Sequence, residues 1–156
     1  MLNEFVDELE RRKRLFKKSD CPNLSIYNRI NKTDLKRLIL AFDEVAEVLD
    51  RTGSDKARKD KISAIENKLS IIARQGRAFG IHLILSTQRP DAALIPGQIR
   101  TNLGVRICGR ADQILSQIIL DNSEAAEKIS KDSCGRFILH DGTLFQSYWF
   151  DETKFN

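Results

Sequence analysis

This sequence has few residues that could form disulfides or bind zinc, and it has no long hydrophobic run. Its 156 residues include three cysteines and two histidines. The cysteines are widely spaced and odd in number, which argues against a disulfide framework or a zinc site and is typical of reduced thiols. The longest apolar run, Leu38 to Phe42, is far shorter than the roughly 20 residues of a membrane-spanning helix. No secretory signal is visible, and we expect a cytoplasmic location.

What the chain does contain is the composition of an ordinary globular protein. Hydrophobic residues make up 41% and charged residues 31%, which excludes fibrous and disordered classes. The length predicts one domain over residues 1–156. Lysine and arginine (26) outnumber aspartate and glutamate (22), giving a net charge of +4. This excess favours polyanionic partners without identifying one.

The hydrophobic pattern predicts alternating helices and strands. An amphipathic helix is expected over residues 1–20, followed by a polar connection over residues 24–34. The basic residues of that helix favour a solvated face over a DNA-binding one. The apolar runs at 38–42 and 81–85 are typical of strands buried on both faces, as in a parallel sheet. An apolar stripe predicts a helix between them that ends near Gly80.

The second half of the sequence predicts a further strand and a hairpin. Val105 to Cys108 has strand character, and the Asp141-Gly142 pair is a strong hairpin signal. Strands that alternate with helices indicate an α/β fold. We therefore predict a mostly parallel sheet flanked by helices, with an antiparallel β-hairpin near the C-terminus.

Polar side chains follow both predicted parallel strands. Asp43 and Glu44 come directly after the first strand, and Thr87 and Gln88 follow the second. Ligands of α/β sheets bind at the carboxyl ends of strands, and in phosphoryl transfer an aspartate there holds Mg²⁺. A nearby carboxylate or glutamine can orient the attacking water. The alternative is a solvated strand end with Glu44 in the first turn of a helix, and a polar turn before Pro90.

These residues form part of a longer set of motifs that agree in order and spacing with a known family. The set comprises Glu10-Arg11-Arg12, Asn23, Tyr27-Asn28, Asp43-Glu44, Gly80-Ile81-His82-Leu83, Thr87-Gln88-Arg89-Pro90, Ile99-x-x-Asn102-x-x-x-Arg106-Ile107, Ile119-Leu120-Asp121 and Ser133-Cys134-Gly135. Over about residues 1–142 the chain resembles the FtsK/SpoIIIE family of DNA translocases.

The resemblance implies part of a RecA-like P-loop NTPase core that forms a homo-hexameric ring and uses ATP and Mg²⁺ to move double-stranded DNA. Asp43 would hold Mg²⁺ and, with Thr87, the nucleotide. Glu44 would activate water as the second Walker B residue, and Gln88 would be the sensor. Arg106 matches the arginine that one subunit offers to its neighbour's nucleotide; the alternative is an ordinary ion pair. Residues 35–142 would run from the Walker B strand to the terminal hairpin.

Two features depart from the family pattern. A phosphate-binding loop needs Gly-x-x-x-x-Gly-Lys-Ser/Thr, and no glycine in this sequence is followed by lysine. We therefore expect the chain to supply half of an ATPase site, with the Walker A half outside it, and to bind ATP poorly alone. Many relatives also carry a basic residue just before the Ile-Leu-Asp motif, where this chain has Gln117, a candidate for DNA contact that can donate to a phosphate but carries no charge. Arg110 lies nearby and is the substitute candidate for DNA contact.

The sequence leaves three functions open. The first is half of a DNA motor used in chromosome segregation or conjugative transfer. The second is the equivalent half of a secretion ATPase, because the Walker B half differs little between the two. The third is a non-catalytic piece that serves as a ring interface or a DNA-binding remnant. Without its missing neighbours, the strand at residue 38 is expected to expose apolar surface and to promote poor solubility or oligomers.

Overall fold

The computed structural model describes residues 1–88, 95–148 and 151–155, and their packing divides them into two compact units. The first comprises residues 1–88 and 95–103, and the second comprises the described residues from 104 onward. The single domain expected over residues 1–156 stays a prediction. The two units are described separately below. In the described ranges, every helix is too short or too polar to traverse a lipid bilayer.

The first unit consists of a parallel pair of strands with helices packed on it. Its elements are α1 (Leu2–Lys18), α2 (Leu24–Asn31), β1 (Leu38–Phe42), α3 (Val45–Leu49), α4 (Lys56–Gln75), a 3-10 turn (Gly76–Phe79), β2 (Ile81–Leu85) and α5 (Gly97–Arg100). The expected connection over residues 24–34 is wrong for most of its length, because α2 occupies it. Asn23 begins that helix by accepting the N–H of Ile26 at 3.0 Å, a common N-cap arrangement.

The two strands lie parallel and in register, from Leu38 opposite Ile81 to Phe42 opposite Leu85. Alternate side chains of a strand face opposite sides of the sheet, and α1 and α4 cover one of those sides. On the other side Ile39 is 60% exposed and Ile84 is 55% exposed. The prediction of strands buried on both faces is therefore wrong for the described residues, whereas the expected exposure of apolar surface is confirmed.

Between α4 and β2 the chain passes through two glycines whose backbones lie very close to neighbouring atoms. A Cβ on Gly76 would lie 2.4 Å from the carbonyl oxygen of Ile81. Gly80 has φ +71°, and a Cβ there would lie 2.3 Å from the Cδ2 atom of Leu24. Glycine suits both positions because it has no Cβ and tolerates the left-handed region. The predicted helix end at Gly80 is confirmed.

Arg12 is buried, although the sequence pattern placed it on a solvated basic face. Its side chain is 3% exposed. Nη1 donates to the carbonyl of Phe79 at 2.8 Å and Nη2 to that of Lys36 at 2.9 Å. Nε donates to Glu8 at 2.6 Å. Because the guanidinium is fully engaged, Arg12 fastens α1 to the segments that enter both strands.

The second unit is a three-stranded antiparallel sheet with two short helices. Its elements are β3 (Ile107–Cys108), α6 (Gln113–Leu120), α7 (Glu124–Lys128), β4 (Arg136–Leu139), β5 (Leu144–Gln146) and a 3-10 turn (Glu152–Phe155). The strand order is β3-β4-β5, and Gly142 has φ +86° in the turn between β4 and β5. The α/β class and the C-terminal hairpin are confirmed, with the difference that the third strand pairs with the hairpin instead of extending the parallel pair.

Replacing Arg12 with methionine should destabilise the protein strongly. The variant leaves two backbone carbonyls and Glu8 without their donor, and breaking a buried charged network costs about 3 kcal/mol. The free energy of unfolding, measured by chemical denaturation, should fall by about that amount. Arg14→Met is the control, because Arg14 is exposed on the same helix and its loss should change stability by less than about 0.5 kcal/mol. Equal effects of the two changes would contradict the assigned role.

Glu8 should make stability depend on pH in the acid range. A hydrogen bond from Arg11, opposed by burial and helped by Arg12, lowers the pKa of Glu8 from 4.5 to about 2. A carboxyl group with a lowered folded-state pKa stabilises the fold above its unfolded pKa and loses that effect as pH falls. The stability difference between the wild type and Glu8→Gln should therefore shrink between pH 4.5 and about 2.

The matched control for this titration is Glu10→Gln. Glu10 pairs with Lys13 at the surface of the same helix, and exposed pairs contribute little to stability. Denaturation curves at several pH values should show a small difference from the wild type throughout. A Glu8→Gln difference that is the same at pH 2 and pH 6 would contradict the prediction.

Candidate functional site

The carboxyl ends of β1 and β2 are joined by backbone hydrogen bonds just beyond the strands. The N–H of Ser86 donates to the carbonyl of Phe42 at 2.8 Å, and the N–H of Val45 donates to the carbonyl of Ser86 at 2.9 Å. Parallel strands in register end at the same edge of the sheet. This edge therefore brings the residues that follow each strand to within hydrogen-bonding distance of one another.

Glu44 connects the two strand ends through its side chain. Its Oε1 accepts the hydroxyl proton of Thr87 and the N–H of Ala46, the latter at 3.2 Å. Its Oε2 accepts the N–H of Gln88 at 2.8 Å. Glu44 is also the N-cap of α3, where a negative charge is favoured by the helix dipole. One carboxylate thus caps a helix and fixes the loop after the neighbouring strand.

Asp43 lies beside this network with an exposed side chain. The described residues contain no cluster of three histidine, cysteine, aspartate or glutamate side chains that could bind a metal by themselves. Mg²⁺ in nucleotide sites is commonly bound through one or two carboxylates, with phosphates and water completing the shell. The exposed carboxylate at a strand end fits that kind of site, in which the protein supplies few ligands.

The structure brings Glu44, Thr87 and Gln88 together. The hydroxyl of Thr87 and the backbone N–H of Gln88 are directed at the carboxylate, whereas the Gln88 side chain is exposed. Arg89 and Pro90 of the same motif lie outside the described residues. The chemical roles assigned to these side chains stay predictions.

Arg106 precedes β3 in the second unit and forms an ion pair within that unit. Its Nη1 donates to Asp121 at 2.6 Å and to the carbonyl of Ile119 at 3.0 Å. Asp121 has φ +63° at the end of α6, so the arginine stabilises a tight helix end. The ion pair matches the alternative weighed for Arg106, and a role toward a neighbouring subunit stays a prediction.

The two residues suggested for DNA contact lie in the same unit. Arg110 is exposed and donates from Nη1 to the carbonyl of Lys131 at 2.8 Å. Gln117 is exposed on α6. No described contact tests a role for either side chain with DNA.

Sequence reasoning missed the structural function of Ser116. Its buried hydroxyl donates to the carbonyl of Asn122 at 2.7 Å and accepts the N–H of Ala125 at 3.1 Å, which joins α6 to α7. The available signal was its spacing four residues before Leu120, which places both on the buried face of one helix. Burial in the core of the same unit raises the pKa of the Cys108 thiol.

Comparison with known proteins identifies relatives over most of this chain. No protein-family model matches the sequence. The chain is 33% identical over 138 residues to the DNA translocase FtsK of Campylobacter jejuni, and 35% identical over 130 residues to the DNA translocase FtsK of Borreliella burgdorferi. These alignments cover 85% and 80% of the chain. The chain belongs to the FtsK/SpoIIIE family. It spans 14% and 15% of the length of these two relatives.

Solved structures share the fold of this chain. The conjugation coupling protein TcpA of pCW3, solved as a monomer with ATPγS, is 40% identical, with a TM-score of 0.89 over 98% of this chain and 44% of that one. ATPases 2 and 3 of EccC from Thermomonospora curvata give a TM-score of 0.69 at 22% identity, over 94% of this chain and 25% of that one. The second likeness concerns the fold alone, and together they confirm the ATPase fold class expected from the sequence.

Proposed function

We propose that this chain supplies the Walker B, sensor and arginine-finger half of an FtsK-type motor that hydrolyses ATP to move double-stranded DNA. The observation that carries the proposal is the Glu44 carboxylate, which bridges the ends of two parallel strands beside the exposed Asp43. The likeness to TcpA, a conjugation coupling protein solved with ATPγS, supports it. The Walker A half and the other subunits of a hexameric ring would come from outside this chain.

In this proposal the two acidic residues have separate tasks. Asp43 holds Mg²⁺ on the nucleotide, and its exposed side chain can reach a ligand from outside this chain. Glu44 orients the attacking water and accepts its proton. A general base acts well only when its direction toward the water is set, and the donors from α3 and from the loop after β2 set the direction of this carboxylate. Mg²⁺, when bound with ATP, neutralises charge that develops on the transferred phosphoryl group.

The residues after β2 fix and extend this arrangement. Thr87 and the backbone N–H of Gln88 hold the Glu44 carboxylate in one orientation. The exposed Gln88 side chain can donate to a γ-phosphate or accept from water, as glutamine does in other nucleotide hydrolases. Thr87 thereby acts on the nucleotide site mainly through Glu44.

Arg106 serves the nucleotide of a neighbouring subunit in this proposal. The described contacts of its guanidinium with Asp121 and Ile119 both use Nη1. Nε and Nη2 can therefore still donate to a phosphate without breaking the helix end that Arg106 stabilises. An arginine placed in this way stabilises charge on the transferred phosphoryl group. Arg110 and Gln117 are proposed to face the DNA.

Specific observations also favour each of the two other functions, a secretion ATPase and a non-catalytic piece. The fold likeness to EccC favours a secretion ATPase, although at 22% identity it concerns the fold alone. The absence of Gly-Lys from the sequence and the role of Glu44 as a helix cap favour a non-catalytic piece. The FtsK relatives, at 33% and 35% identity, favour the DNA motor over both.

Replacing Glu44 with glutamine tests the catalytic proposal. The assay uses the chain joined to the Walker A segment of an FtsK relative. The amide that replaces the carboxylate keeps one oxygen for Ala46 and Thr87 but presents an NH₂ group to the N–H of Gln88, so the variant loses one hydrogen bond and the negative charge. ATP hydrolysis should fall by about 100-fold or more, as expected for loss of general-base catalysis, while ATP binding is retained.

The control for Glu44→Gln is Glu47→Gln. Glu47 is exposed on the same short helix, α3, so the change removes an equal charge and leaves the strand ends intact. Its hydrolysis rate should match the wild type. Asp43→Asn should instead weaken ATP binding in the presence of Mg²⁺. If Glu44→Gln lowers the melting temperature and leaves the hydrolysis rate unchanged, Glu44 is a helix cap and the proposal is wrong.

Stimulation by DNA separates the DNA motor from the secretion ATPase. The joined protein should hydrolyse ATP several times faster when linear double-stranded DNA is added, because translocation couples hydrolysis to movement along the duplex. The measurement is the steady-state rate with increasing DNA at fixed ATP. A rate that is independent of DNA would favour the secretion function.

A further inference from the structure

A cationic cavity of about 520 Å³ lies at the opposite end of the parallel strands from Glu44. Arg37, which directly precedes β1, and Gly80, which directly precedes β2, both line it. Arg74 and Arg77, from the end of α4 and the following 3-10 turn, complete its charged wall. Three arginines from two separate segments thus surround one concave surface.

Among the residues that the structure describes, no carboxylate lines this cavity to neutralise the arginines. All three arginines are exposed, and in the described part of the chain none of them takes part in an ion pair or a side-chain hydrogen bond. Along the chain, the acidic residue nearest Arg37 is Asp34, which pairs with Lys36, and the one nearest Arg74 and Arg77 is Glu66, which pairs with Arg51. Like charges held together without a counter-charge repel one another, so an anion that binds among them relieves that repulsion.

The amino end of α2 opens into the same cavity. Leu24 and Ser25, the first two residues of the helix, are among its lining residues. The Asn23 side chain accepts the N–H of Ile26, and in the described ranges the N–H groups of Leu24 and Ser25 have no acceptor. A helix amino end carries partial positive charge and exposed N–H donors, both of which favour phosphate.

The position of one of these arginines can be explained without a ligand. Arg74 lies in the last turn of α4, where a cation is favoured by the helix dipole. Arg37 lies outside any helix, immediately before a strand, and has no such reason to face the cavity. The convergence of Arg37 with Arg74 and Arg77 therefore points to a ligand.

We propose that this cavity binds the phosphate backbone of double-stranded DNA, as a contact separate from Arg110 and Gln117. The proposal rests on the proposed function only in taking DNA as the partner. The planar guanidinium matches phosphate in a two-pronged hydrogen bond. Contacts to phosphate position a protein on DNA without reading its sequence, which suits a motor that moves along any duplex.

The test measures binding of the 156-residue chain to a fluorescein-labelled duplex of about 20 base pairs by anisotropy, without ATP, over a range of NaCl concentrations. The cavity variant carries Arg37→Gln, Arg74→Gln and Arg77→Gln. It should bind about 10- to 100-fold more weakly, and the slope of log K against log salt should become shallower by about two to three, since each phosphate contact contributes about 0.9.

A control variant of equal net charge carries Arg29→Gln, Lys56→Gln and Lys59→Gln. These residues are exposed outside the cavity, so binding and slope should stay close to the wild type. A third variant that carries Arg37→Lys, Arg74→Lys and Arg77→Lys should recover most of the salt slope, because it keeps the charges. Circular dichroism melting of every variant identifies any loss of affinity that comes from unfolding.

The outcomes separate this proposal from the proposed function. If the wild type binds the duplex and the cavity variant binds equally well, the cavity is not a DNA contact, although DNA remains the partner. If inorganic pyrophosphate protects the wild type against melting and leaves the cavity variant unprotected while both bind DNA equally, the cavity takes a free anion. If the wild type does not bind the duplex, the cavity assignment fails, whereas the DNA motor is judged separately by DNA stimulation of ATP hydrolysis in the joined protein.

Discussion

The parallel register of β1 and β2 is the constraint on which the candidate site depends, and Arg12 fixes it at one end. Its two terminal nitrogens donate to the carbonyls of Lys36 and Phe79, which are equivalent positions, each two residues before its strand. A rigid planar guanidinium holds these two carbonyls at a set separation. A shift of one strand by a single residue would break one of the bonds and leave a buried polar group unpaired.

Glu44 performs the corresponding function at the other end of the strands. A two-stranded sheet by itself is marginally stable, and this one has helices on one face within the described residues. Arg12 and Glu44 form polar connections at its two ends, while Leu9, Ile72 and Ile81 pack between them. The residues proposed for chemistry therefore depend on a buried arginine of a different helix, because both act on the same pair of strands.

Much of this arrangement could be predicted because it follows from local patterns. Apolar runs predicted the two parallel strands, and Gly80 predicted the end of the helical segment. The Asp141-Gly142 pair predicted the hairpin. The position of Asp43 and Glu44 after a strand was enough to predict where they lie. The roles of those side chains are chemical statements that the contacts alone do not test.

One failure came from a local helix cap, and the others came from packing and hydrogen bonds between distant residues. Helix α2 was missed because its polar composition is typical of a loop. The helix forms here with Asn23 as its N-cap. Arg12 is indistinguishable in sequence from its exposed neighbours, since its carbonyl acceptors are 24 and 67 residues away. Burial on both faces was inferred for β1 and β2 because apolar runs do not reveal what covers them, and Ile39 and Ile84 are exposed.

That open apolar face has a thermodynamic consequence. Any molecule or segment that covers Ile39 and Ile84 binds the folded state and has no equivalent surface to bind in the unfolded one. Binding of this kind raises the apparent melting temperature in proportion to the logarithm of ligand concentration. The apparent melting temperature of this unit therefore depends on what covers the face. A rise in that temperature on mixing would report binding there directly.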